Sequence, residues 1–140
     1  IGALGEHEPP IIIIEMGTAT TMSVIDKNSR YIGGAILPGL RVSLDSMSSN
    51  TAQLPRISLD TPKKVIGKNT VDCMRSGVII GNAAMIDGML SRIEEELGGP
   101  ATVIATGGIA KAVLPLCSHT VIYDGALLLK GLLALYEKNK

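Results

Sequence analysis

The stretch Ile11-Ile12-Ile13-Ile14-Glu15-Met16-Gly17-Thr18-Ala19-Thr20-Thr21 opens with four β-branched residues in a row, entered through Pro9-Pro10. That pattern is a strand buried on both faces. Beyond Gly17, the segment Thr20 to Asp26 is rich in Thr, Val and Ile. Lys27-Asn28-Ser29-Arg30 then turns the chain, and Tyr31 to Leu37 resumes an apolar run, so three consecutive strands in a meander are expected. Pro38-Gly39 breaks the third. Leu40, Leu44 and Met47 then recur at helical spacing as far as Ser48-Ser49-Asn50, which predicts a short helix.

Thr51 to Lys68 carries Pro55, Pro62 and Gly67 with little periodicity and reads as a long irregular connection. From Asn69 to Leu97 the positions Met74, Val78, Met85, Met89, Ile93 and Leu97 keep helical spacing, and Gly98-Gly99-Pro100 supplies a stop. Gly77, Gly81 and Gly88 inside that stretch each cost about 1 kcal/mol against Ala. Either close helix packing compensates or the helix is interrupted near Gly81. The remaining third reads as strand (Ala101 to Ala105), short helix (Ile109 to Leu114), strand (Thr120 to Tyr123) and a last helix capped by Asp124. In that last helix Leu128, Leu132 and Leu135 form one stripe. A meander followed by crossover units is the order of a ribonuclease H-like α/β domain: three antiparallel strands extended by parallel ones, with helices on both faces.

Composition narrows the function. The chain has 140 residues and a mass of 14.6 kDa, the size of one domain. Hydrophobic residues at 46% against 19% charged exclude disorder by composition. Lys plus Arg equals Asp plus Glu at 13 each, and three tyrosines are the only aromatics, so no nucleic-acid partner is expected. No apolar run approaches the roughly 18 residues of a membrane span, and no membrane partner is expected. Cys73, Cys117, His7 and His119 form no short-spaced ligand set, and both histidines read as structural. With no secretory signal in view, a reduced, cytoplasmic protein is the expectation. A start at Ile1 without an initiator Met makes the chain read as a piece of something longer.

Chemistry concentrates at three places. At the first turn, the Glu15 carboxylate suits a cation or its waters, Gly17 lets the backbone approach a phosphate, and Thr18 offers a hydroxyl and an N–H. The same residues also suit a plain hairpin with Gly at a bulge. Gly33-Gly34 inside the third strand signals a close approach to the backbone, by a packed element or by a ligand. Thr106-Gly107-Gly108 joins a strand to a helix, at the carboxyl end of the sheet where nucleotides sit in open α/β folds. Asn69 or Thr70 is a helix N-cap, or offers a group to a substrate. Glu94-Glu95-Glu96 reads as a solvated helix face.

Taken in order, Glu15 to Thr21, Tyr31 to Gly39, Thr51-Ala52-Gln53-Leu54-Pro55, Ile66 to Thr70, Ser76-Gly77, Ala105 to Ala110 and Gly131-Leu132 with Tyr136 and Asn139 resemble the second half of a type III pantothenate kinase. The resemblance implies the actin-like ATPase fold, two ribonuclease H-like domains with ATP between them. Residues 11–140 would be the second domain, and residues 1–10 a leader or a remnant of the inter-domain segment. It further implies transfer of the ATP γ-phosphoryl group to pantothenate, the first step of coenzyme A synthesis, with Mg2+, a monovalent cation (K+ or NH4+) and a homodimer. Carried over, Glu15 would be the metal-binding position. Gly17, Thr18, Thr20, Gly107 and Gly108 would bind the nucleotide, Thr18 at its phosphates, and Thr70 would contact pantothenate.

Two departures follow. The family's usual residue at the acidic position is Asp, and the extra methylene of Glu15 moves the carboxylate by about one bond length. The family's Gly-x-Asp-Arg motif, with its general base, has no counterpart here, so no catalytic residue is expected in this chain and the 140 residues alone are expected to be inactive. The competing expectation is a non-catalytic nucleotide-binding paralogue acting as a sensor or partner-binding module.

Overall fold

The computed structural model describes residues 1–50 and 60–140; the Thr51 to Pro55 stretch lies outside them. Five strands form one sheet in the order β3-β2-β1-β4-β5, with β1 at Ile11–Met16, β2 at Ala19–Ile25, β3 at Tyr31–Pro38, β4 at Thr102–Thr106 and β5 at Ile122–Tyr123. β1 pairs antiparallel with β2 and parallel with β4, β2 pairs antiparallel with β3, and β4 pairs parallel with β5. The expected mixed α/β order of meander and crossovers is present. The last strand is shorter than the expected Thr120 to Tyr123, with two paired residues only.

The alternation of β1 divides the molecule. Ile12, Ile14 and Met16 point to one face, where they meet Met22, Val24 and Leu37 of the meander. That face is covered by α1 (Leu40–Asn50), by α3 (Gly81–Leu97), which supplies Ala83, Ile86 and Leu90, and by α4 (Ala110–Val113). Full burial of each such side chain contributes about 1.5–3 kcal/mol. Ile11 points the other way and packs with Ile25, Ile104, Ala3 and Leu127. This second layer is built by residues 1–10 and by α5 (Leu127–Lys138). Gly2 lies so close beneath α5 that a methyl group there would stand 2.8 Å from the Leu127 carbonyl oxygen and 2.9 Å from the Gly131 nitrogen.

The long helical stretch is interrupted. α2 (Thr70–Arg75) leads into a π-helical turn at Ser76–Ile80, in which the Gly81 N–H reaches back to the Ser76 carbonyl, and α3 follows. Of the two expected resolutions for Gly77, Gly81 and Gly88, this is interruption; nothing stands within 4 Å of where a side chain would begin at any of them. Gly34 is the opposite case, since a methyl there would collide with the Met22 carbonyl. Close approach at this position comes from the neighbouring strand.

Two expectations need correction, those for Asp124 and Glu94, and the leucine stripe of α5 gains a facing that its spacing left open. Asp124 does not cap α5 directly. Its carboxylate accepts the Ala126 N–H at 3.0 Å and holds the Lys130 ammonium at 2.8 Å, and Lys130 in turn reaches Glu6 at 2.8 Å. The ammonium keeps the Asp124 carboxyl below the ordinary carboxylate range. Leu128, Leu132 and Leu135 do form a stripe, but it faces outward at 74%, 55% and 40% exposure, beside Leu129, Leu133 and Tyr136. Leu127 alone carries α5 into the core, because the glycine contact at Gly131 turns that narrow side toward the sheet. Glu94 is not a solvated residue: it accepts the Ala101 N–H at 3.0 Å and meets the His119 ring. Among the described residues, no helix is long and apolar enough to cross a membrane.

These glycine environments predict opposite signs. Gly34→Ala destabilises the fold by about 1–3 kcal/mol through overpacking, whereas Gly88→Ala stabilises it by about 0.5–1 kcal/mol through helix propensity. Urea unfolding of the two variants beside the parent checks both signs.

Candidate functional site

The carboxyl ends of β1 and β4 lie side by side, and three residues align across them. Glu15 is in register with Thr21 of β2 on one side and Thr106 of β4 on the other. Residues in register share a face, so one carboxylate is flanked by two hydroxyl-bearing side chains. Glu15 is exposed because β1 runs out of covering structure there. Directly beyond Thr106, Gly107 adopts φ +104°, a left-handed conformation open to glycine, and its Cα packs against the Met16 main chain. Gly108 is exposed with open space around it.

Glu15, Thr106, Gly107 and Gly108 line one cavity of about 530 Å³. Its other wall is apolar, made by Ile13, Leu127, Leu128 and Leu132, with Tyr123 at the side. The Lys111 ammonium stands 5.1 Å from the centre of the Tyr123 ring. A cavity with a carboxylate and bare main chain at one end and a broad apolar wall at the other suits a flat, amphipathic ligand carrying a charged group.

The Gly17-Thr18 turn joins β1 to β2 at the same end of the sheet, closed by the Gly17 N–H on the Ala19 carbonyl at 3.2 Å. Both residues are exposed. Gly39, just before α1, packs against the Thr18 carbonyl, where any side chain would collide. The turn is thus braced from behind with its outer side open.

Thr20 stands apart from that group. It is 1% exposed and lies on the same face as its register partner Met16, the helix-covered side opposite Glu15. Thr21 is the threonine on the Glu15 face, and strict alternation along the second strand is the signal that locates it. Thr70 begins α2 and is exposed, remote from the cavity lining. Asn69 is the N-cap, its side-chain oxygen accepting the Asp72 N–H at 2.9 Å. Tyr123 and the apolar wall from α5 are cavity residues that motif reading missed, because they become neighbours of Glu15 only when β5 pairs with β4. Among the described residues, no group of three or more His, Cys, Asp or Glu side chains is placed to hold a metal ion.

Comparison with known proteins gives concordant matches. The family model for type III pantothenate kinase matches residues 1–92. A type III pantothenate kinase from Rhodospirillum rubrum is 41% identical over 143 residues, covering 100% of this chain and 56% of that protein. One from Thermus thermophilus is 44% identical over 138 residues, covering 97% of this chain and 54% of that protein. The chain spans about half the length of the curated relatives it matches. Among solved structures, a Campylobacter jejuni protein named for the Baf family of transcriptional activators superposes with a TM-score of 0.60 at 23% identity, over 99% of this chain and 62% of that one. That likeness bears on the fold alone.

The two glycines of the β4 turn separate folding from binding. Gly107→Ala forces a left-handed backbone and a main-chain collision, and lowers stability by about 1–3 kcal/mol. Gly108→Ala leaves stability within about 0.5 kcal/mol of the parent. Thermal unfolding distinguishes the two.

Proposed function

The chain belongs to the type III pantothenate kinase family, and on that premise we propose that it forms the second, ribonuclease H-like domain of an ATP-dependent kinase. The enzyme would transfer the γ-phosphoryl group of ATP to pantothenate in the first step of coenzyme A synthesis. The sheet order β3-β2-β1-β4-β5, antiparallel through the meander and parallel beyond β1, supports the domain assignment. So does α5, whose exposed Leu129, Leu133 and Tyr136, outside the cavity lining, leave an apolar face of the kind that a second body covers. Residues 1–10 would be the connection from the first domain, lying beneath α5.

The observation that carries the reading is the row Thr21, Glu15, Thr106, of which Glu15 and Thr106 line one cavity with Gly107 and Gly108. In this reading the adenosine lies against Gly107 and Gly108, where bare main chain admits a flat ring, with the apolar α5 wall beneath it. The triphosphate runs toward Gly17 and Thr18, where the Thr18 N–H and hydroxyl donate to its oxygens and the Gly17 N–H stays on the Ala19 carbonyl. Thr20, buried and laddered between β1 and β3, would support the turn from behind and leave the nucleotide contacts to Thr18.

A single carboxylate flanked by hydroxyls fits a Mg2+ ion that keeps most of its waters and leans on phosphate oxygens; when bound, that ion offsets phosphate charge. Glu15 would hold it through those waters, and a monovalent cation, K+ or NH4+, would sit among the same oxygen donors. Thr70 would meet pantothenate from the start of α2. Phosphoryl transfer depends on positioning and charge from both walls of a cleft, so the 140 residues alone would be inactive, and the complete enzyme would work as a cytoplasmic homodimer.

The test is ATP-dependent phosphorylation of pantothenate by the longer protein carrying this sequence, with and without K+, beside the 140-residue chain. Turnover in the longer protein alone is expected. Thr18→Val there should weaken ATP use by about 1–3 kcal/mol, and Gly108→Ala should raise the KM for ATP with the fold intact. No turnover in either form would favour a non-catalytic nucleotide-binding sensor, and kinetics unchanged by Thr18→Val would remove the phosphate role.

A further inference from the structure

On the far side of the molecule from the cavity wall of α5, one histidine is held between two acids. Asp87 and Glu94 lie seven residues apart on α3, two turns along one side of the helix. Both reach the connection that leads from the Leu114–Leu116 3-10 turn to β5. Asp87 accepts the Ser118 N–H at 2.7 Å and the His119 N–H at 3.1 Å, and the same oxygen stands 2.9 Å from His119 Nδ1. Glu94 Oε1 stands 3.0 Å from His119 Nε2, and its Oε2 accepts the Ala101 N–H at 3.0 Å. The three side chains are 19–23% exposed, so water screens them only in part.

A neutral imidazole has one N–H and one bare lone pair. In either tautomer one of these carboxylates would face the lone pair at hydrogen-bonding distance, so only the doubly protonated ring donates to both. The two acids are unequal. Asp87 keeps two backbone N–H donors whatever the ring does. Burial works to raise its carboxyl, but those donors and the ring outweigh it and hold it below the ordinary range. Glu94 keeps only the Ala101 N–H, which lies outside the connection, so its contact at Nε2 is the one that fails when a proton leaves. Among the described residues, Cys117 is the other titratable group coupled to Asp87; burial and the Asp87 charge push its thiol up to about 11, so it stays neutral.

We propose that His119 is a proton-operated clip: doubly protonated, it fastens the 117–121 connection to α3 through Asp87 and Glu94, and loss of one proton opens the Glu94 side. The strand that follows has little pairing of its own. β5 is Ile122–Tyr123, bonded to β4 alone, and Tyr123 forms part of the cavity wall. Only Thr120 and Val121 separate His119 from β5, so opening the clip loosens that wall. The inference stands on the fold and is independent of the proposed reaction.

The test follows thermal unfolding of the chain between about pH 6 and pH 8, with His119→Gln, Glu94→Gln and, as the control for the other histidine, His7→Gln. The parent and His7→Gln should lose roughly 3–5 °C more on raising the pH than His119→Gln does. Glu94→Gln, whose amide donates to a bare Nε2, should fold and follow the flatter course. Imidazole 15N spectra should show both His119 nitrogens protonated at the lower pH, and intrinsically corrected amide exchange at Asp124, whose N–H donates to the Ala105 carbonyl, should quicken at the higher pH in the parent only. Equal pH slopes in the parent and His119→Gln, a parent-like slope in Glu94→Gln, or a singly protonated ring at the lower pH would overturn the clip.

Discussion

Everything in this molecule is arranged around a strand that is buried on both sides for most of its length and freed only at its end. β1 pairs antiparallel with one neighbour and parallel with the other, so it must satisfy two hydrogen-bonding geometries while feeding side chains to two separate layers. A run of isoleucines meets that demand because any of them is welcome on either face. The pattern changes at Glu15, where the layer made by residues 1–10 and α5 has drawn back into a cavity. A carboxylate is tolerable at that position because the strand has reached solvent there, and it is aimed by strands whose register the buried isoleucines hold. Burial and exposure along six residues thus produce a rigidly supported acidic group.

How much of this was legible in the sequence follows the same physics. The meander, the crossover order and the Gly-Gly turn were readable, because β-branched runs, turn residues and helical spacing report local conformation directly. Facing was harder. The leucine stripe of α5 has the right period, but period cannot say whether a stripe meets the sheet or solvent, and Gly131 over Gly2 decides it. Thr20 and Thr21 look equivalent as hairpin threonines, and only pairing with Glu15 and Met16 puts them on opposite faces. Glu94 and His119 were read as ordinary because residues 95–118, with a whole strand among them, lie between the two. Tyr123 was invisible as a cavity residue for the same reason.

The glycines show why composition alone misleads. Gly34, Gly39 and Gly107 sit where main chain touches main chain, and each fixes the distance between two elements. Gly77, Gly81 and Gly88 lie along the helices with nothing above them, and carry entropy without filling space. One residue type therefore marks both the tightest and the loosest parts of the fold. The tight set surrounds the Glu15 end of the sheet: Gly39 braces the Gly17-Thr18 turn, and Gly107 seats the β4 turn on Met16.

The π-helical turn at Ser76–Ile80 sets an angle between two helices. Such a turn accommodates one residue more than an α-helix of the same hydrogen-bonded span. Each residue in a helix turns the chain by about 100°. The extra one rotates α2, with Asn69 and Thr70 at its head, by that angle relative to α3, whose core face is pinned by Ile86 and Leu90. A one-residue change in length thus re-aims the loop end of the helix while the sheet packing stays where it was. In this fold, a new orientation for the head of α2 is one codon away.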